Sequence, residues 1–227
     1  MRLYRCSKKV LSFKGDVQGF LNAYTSNTPE KPKAAFLDRG GKIVAMADQV
    51  LIDPTEALVV VESKFLERLL GHLKVYVGLS RIEVKLRESF KVYFDLEGSY
   101  QPGPNEWVIP QKKGQLILTE NELPAEVSEE EFTRFRLEIG LPVQGIDFDE
   151  EMLLCVADEE VVSYAKGCYL GQEIIARVHH RSKPPKKLMV KNEEDCSPQE
   201  LKAMTSVWPD PKTGKKRGFV FCGTISV

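Results

Sequence analysis

Two short stretches carry an apolar residue at every second position: Ile82, Val84 and Leu86, then Val92, Phe94 and Leu96. A period of two is that of a half-buried strand. Elsewhere the period is helical. Val17, Phe20, Leu21 and Tyr24 follow Asp16, a residue suited to cap a helix, and share one helix face. Short strands and helices alternate without regular βαβ spacing, so the pattern predicts an α+β fold rather than a doubly wound sheet.

Further elements fit that class. Ala34 to Leu37 and Ile43 to Ile52 read as strands around the turn Asp38-Arg39-Gly40-Gly41, a hairpin. Leu58 to Val61 is a short buried strand, and Ser63 opens a helix with Phe65, Leu66, Leu69, Leu70 and Leu73 on one side. Trp107 to Ile109 and Leu116 to Leu118 read as strands. Ser128 and Glu131 form a capping-box pattern ahead of Phe132, Phe135, Arg136 and Ile139, and Gly140 with Pro142 ends that helix. Gly171 to Arg177 fits a strand or a helical turn equally. A last strand is predicted over Gly218 to Ile225.

Composition limits the function classes. With 42% hydrophobic and 29% charged residues, disorder and coiled coil are disfavoured. A net charge of −1 gives no global drive toward nucleic acid or acidic membranes, and no apolar run reaches membrane-spanning length. The N-terminus leads into no signal-type apolar core. Five cysteines, at 6, 155, 168, 196 and 222, include no CxxC pair, which argues against a disulfide framework and a structural zinc site. No metal ligand set is expected, and a reducing, cytoplasmic setting fits.

Charge is nonetheless uneven. Glu120 to Glu160 holds fourteen acidic and two basic residues, whereas Val161 to Lys191 holds seven basic and one acidic. These are two solvated faces, or the basic one lines an anion site. Within the basic stretch stands Cys168, between Gly167 and Tyr169, with Lys166 and Arg177 near enough in sequence to favour a thiolate. A small buried hydrophobe is the alternative reading of Cys168. His179 and His180 follow as a conceivable Cys/His partner pair or as a solvated pair. Glu138, at the end of the capped helix, is a carboxylate able to accept two N–H groups from a heterocycle, or an exposed helix-end charge. Asp48 and Asp53 flank a strand and read as turn formers. Lys212 to Arg217 is a short basic loop.

The run Ser163-Tyr164-Ala165-Lys166-Gly167-Cys168-Tyr169-Leu170-Gly171-Gln172-Glu173-Ile174-Ile175-Ala176-Arg177 closely resembles the signature of the YgfZ family, folate-binding proteins of iron–sulfur cluster maintenance related to the glycine-cleavage T-protein. Arg136-Leu137-Glu138-Ile139-Gly140-Leu141-Pro142 is similar to a second family element, and Lys33 to Ile43 to its N-terminal hairpin. Asn27 stands where the family usually has Asp, and Ser182 where it has Gly.

The resemblance implies a glycine-cleavage T-protein-like folate-binding α+β fold with a shortened C-terminal β region. Residues 1–185 would form the folate-binding body and 186–227 a truncated barrel-type region. It implies tetrahydrofolate or a derivative as ligand, with the pterin at Glu138 and with Tyr169, Arg177 and Lys166 lining or bracing the pocket. Cys168 would be the functional thiol, and iron–sulfur assembly or client proteins the partners. The T-protein carries Asp at the position of Cys168, so a tetrahydrofolate-dependent aminomethyltransferase is the less favoured alternative. A non-enzymatic RNA-binding or scaffold protein is the third, disfavoured by the net charge and by the lack of aromatics interleaved with the basic residues.

Overall fold

Lys8–Gly15 and Glu56–Glu62 carry apolar residues at consecutive positions, not alternate ones, because the sheet they form is covered on both faces. In the computed structural model, which describes residues 1–157, 159–181, 183–210 and 213–223, the strands are β1 (Leu3–Arg5), β2 (Lys8–Gly15), β3 (Lys33–Leu37), β4 (Ile43–Asp53), β5 (Glu56–Glu62), β6 (Ile82–Leu86), β7 (Lys91–Asp95), β8 (Trp107–Pro110), β9 (Gln115–Thr119), β10 (Lys186–Asn192), β11 (Thr205–Pro209) and β12 (Lys216–Gly223). The helices are α1 (Val17–Tyr24), α2 (Leu66–Leu79), α3 (Glu129–Ile139), α4 (Leu153–Val156), α5 (Gln172–Arg181) and α6 (Pro198–Ala203). Among the described residues no helix is long and apolar enough to cross a membrane.

The strands pair antiparallel in three sheets, ordered β3-β4-β5-β2-β6, β1-β7-β9-β8 and β10-β12-β11. One face of the five-stranded sheet, through Leu11, Phe13, Val59 and Val61, packs on α1 and α2. The other, through Val10, Leu58 and Val60, packs on Val92, Phe94, Leu116 and Leu118 of the four-stranded sheet and on Phe132 and Phe135 of α3. Burying each such side chain stabilises the fold by about 1.5–3 kcal/mol. A third core joins the hairpin residues Leu37 and Ile43, Leu137 of α3, Leu153 to Val156, Tyr169 and Ile175 to Leu188 and Phe219 of the three-stranded sheet. The result is the α+β class expected from the sequence.

Several local readings change. The undecided segment after Gly171 is helix α5. Ser63 opens a 3-10 turn, Ser63–Phe65, that leads into α2. The Ser128 hydroxyl accepts from the Glu131 N–H at 3.2 Å, but the Glu131 carboxylate goes to Arg2 instead of returning to the cap, so only half of the capping box forms. The full reciprocal box is at Ser197 and Glu200, heading α6. The last strand ends at Gly223; positions 224 and 225 of the expected strand, Ser182 and Lys212 lie outside the described residues.

Candidate functional site

The signature segment is clamped onto the N-terminal part of the fold. Ser163 N–H donates to the Ser26 carbonyl at 2.9 Å, and the Ser26 hydroxyl returns to the Val161 carbonyl at 2.6 Å. Leu170 N–H donates to the Ala23 carbonyl at 3.0 Å. Gly171, at φ +84°, lies so close to the β3–β4 turn that a Cβ there would fall 2.5 Å from the Asp38 carbonyl oxygen. Asn27 donates its amide to the carbonyls of Lys33 (2.9 Å) and Glu160 (2.8 Å). A carboxylate has no proton to give to two carbonyls, so the amide suits this junction where Asp would not.

Lys166 points inward within this clamp. Its ammonium donates to the carbonyls of Thr25 (2.6 Å) and Asn27 (2.8 Å) and lies 4.7 Å from the centre of the Tyr169 ring. Burial brings its pKa down to about 8. Charged or neutral, the amine has N–H groups for both carbonyls. Tyr169 is buried, and burial raises its phenol. Cys168, between them, is exposed. Arg177 is exposed and pairs with Glu173 at 3.5 Å, while Tyr164 stacks on His179 at 3.8 Å between ring centres. Neither Lys166 nor Arg177 bonds the Cys168 sulfur.

A cavity of about 220 Å³ opens where the five-stranded sheet, the four-stranded sheet and α3 converge. Tyr4 and Phe132, stacked at 4.0 Å, form an aromatic wall with Phe94. On the opposite side Lys8 bridges Asp48 (3.1 Å) and Glu62 (2.7 Å), and Asp48 also accepts from Gln111 at 3.0 Å. Burial works against charge on Lys8, but Glu62 and Asp48 outweigh it and raise the ammonium above its ordinary range. Burial likewise opposes the Asp48 carboxylate, yet Lys8, Lys33 and Gln111 hold it below the usual value. Arg136, 1% exposed, is held by Asp147 at 2.7 Å and by the Ser206 hydroxyl at 2.8 Å; its Nε–H has no partner among the described residues. Glu129 also lines the cavity and accepts from the Tyr4 hydroxyl. Burial, then Glu129, raises the Tyr4 phenol.

No family model matches the chain. Over 154 residues it is 28% identical to an uncharacterised protein of Haemophilus influenzae, covering 65% of this chain and 55% of that protein. Over 79 residues it is 33% identical to the mitochondrial iron–sulfur cluster assembly factor IBA57 of Mus musculus, covering 30% of this chain and 22% of the mouse protein. The chain thus spans about half the length of the first relative and less of the second. The fold superposes with a TM-score of 0.71 on aminomethyltransferase T of the glycine cleavage system from Bartonella henselae, over 97% of this chain and 78% of that one, at 13% identity. The chain has the glycine-cleavage T-protein fold.

In this fold the residues named from the sequence do not converge. Cys168, Lys166 and Tyr169 share the clamped loop and Arg177 lies on the helix after it, but none of the four lines the cavity. Glu138 does not line it either: it is exposed, pairs with Arg134 at 3.6 Å and faces a separate depression with Arg2 and Lys113. Helical phase explains this. Each residue turns about 100°, so with Arg136 inward, Glu138 two positions on points away. The cavity face of α3 is Glu129, Phe132 and Arg136, at i, i+3 and i+7. Asp48, read from sequence as a turn former, sits inside strand β4 and faces the cavity. Lys8, Glu62, Glu129 and Gln111 carried no sequence motif, and Lys33 entered only as the first residue of the hairpin segment, with no role given to it. The available signals were that phase and the symmetry of the hairpin, which pairs Lys33 with Asp48. Among the described residues no three His, Cys, Asp or Glu side chains are grouped as metal ligands.

Proposed function

We infer that this chain holds a folate, tetrahydrofolate or a derivative, in the central cavity and serves as an accessory protein in iron–sulfur cluster assembly or repair, with Cys168 as the thiol offered to a partner. The observation that carries the ligand is a flat Tyr4/Phe132 wall in one cavity with the carboxylates of Glu129, Glu62 and Asp48. Glu129, Glu62 and Asp48 supply the acceptors that an N–H-rich ring requires. The residues present therefore fit a pterin-like group, which when bound would supply one-carbon chemistry.

The second half rests on the signature segment and on the likeness to the mouse iron–sulfur cluster assembly factor. Cys168 is exposed on a braced loop, the placement expected of a group that meets another protein or its cluster cargo. Residues 1–185 serve in this reading as the body and 186–227 as the shortened barrel counterpart. An unpaired exposed thiol suits a reducing compartment such as the cytoplasm.

The test is calorimetric titration of the full chain with tetrahydrofolate, beside Glu129→Gln. Saturable binding, weakened about tenfold by the substitution as one lost charge-assisted hydrogen bond would give, supports the reading. Absence of binding overturns it.

A further inference from the structure

Lys33 lines the cavity with a side-chain amine that has no partner among the described residues. It stands on β3 directly across from Asp48 on β4, close enough to share a face of the sheet. Asp48 is already engaged: Oδ2 takes Lys8 at 3.1 Å and Oδ1 takes Gln111 at 3.0 Å. Lys8 in turn holds Glu62, its own cross-strand partner. Among the described residues, the Lys33 side-chain amine is left with no hydrogen bond or ion pair. Its charge is influenced by Asp48 and Glu160, which favour the ammonium, and by Lys8 and Lys112, which oppose it. Burial outweighs all four and lowers the ammonium below the ordinary lysine range.

An amine in that state, facing a cavity, is the form in which lysine acts as a nucleophile. We propose that Lys33 is a nucleophilic amine of the central cavity that condenses reversibly with small aldehydes. The free amine adds its lone pair to the carbonyl carbon, and the C–O π pair moves to oxygen, which takes a proton. Loss of water then leaves a C=N bond, and no oxidant or reductant is needed. Water entering the cavity reverses the step. The cavity's occupant, folate or not, does not enter the argument, so the two readings fail separately.

The experiment is reductive labelling of the full-length protein with propionaldehyde and cyanoborohydride at about pH 7, with peptide mapping of every modified lysine. Lys33 is expected to take the propyl group several-fold faster than the exposed Lys9 and Lys42. That lead shrinks at about pH 10, where ordinary lysines also lose their protons. Lys33→Met removes the fast label and leaves the others. Labelling of Lys33 no faster than Lys9 in the wild-type protein overturns the proposal, whether or not the variant folds.

Discussion

The Lys166 amine donates to the Thr25 carbonyl at 2.6 Å, tying the signature segment to the end of α1. With the second bond, to Asn27, it closes the junction on which the exposed thiol is mounted. Lys166→Met takes the ammonium from the Thr25 carbonyl and leaves the Asn27 carbonyl with the Thr25 hydroxyl at 2.9 Å, while keeping the aliphatic stem. The expected loss is about 1–3 kcal/mol of stability, read as a lowered urea midpoint. Cys168 in the variant also alkylates at a changed rate, because its loop has lost its anchor. An unchanged midpoint and rate would show that the junction holds without Lys166.

Cys168→Ser is expected to fold like the wild type, within about 0.5 kcal/mol, since the thiol is exposed and packs in no core. In a cell lacking the protein it is expected not to restore the activity of iron–sulfur enzymes. Full restoration would reduce Cys168 to a surface residue and remove the thiol from the proposed function.

Glu106 predicts an acid limb of the stability curve. Its carboxylate accepts from the hydroxyls of Thr119 and Tyr100, both at 2.6 Å, from Gly103 N–H at 2.8 Å and from the Asn121 amide at 3.0 Å. Those donors, Thr119 foremost, bring it down to about 2 from 4.5. A folded-state value below the unfolded one stabilises fully above the unfolded value and is lost as pH falls from 4.5 toward 2. Glu106→Gln should therefore cost roughly 1–2 kcal/mol of stability at neutral pH after solvent screening, read as a lower melting temperature. It should also flatten the decline between those limits. Parallel curves for variant and wild type would contradict this.

How much of the protein was legible in its sequence depended on how local each cause was. Helix α3 was legible because Ser128, Gly140 and Pro142 punctuate it within the segment itself. Strand β6 was legible because one face meets solvent, and alternation records that. Strand β2 was missed: Val10, Leu11 and Phe13 are buried on opposite faces, and continuous burial erases the period. The signature located the clamped loop, yet the inward turn of Lys166 depends on carbonyls some 140 positions away. The cavity was least legible, since Tyr4, Lys33, Asp48, Gln111 and Arg136 meet only after two sheets and a helix have packed.

The close approach of Gly171 to Asp38 makes the loop and the hairpin a single mechanical unit built from distant parts of the gene. An insertion in the hairpin turn would reach the thiol platform as directly as one in the signature. A fragment beginning after the hairpin would carry Cys168 but have nothing to mount it on.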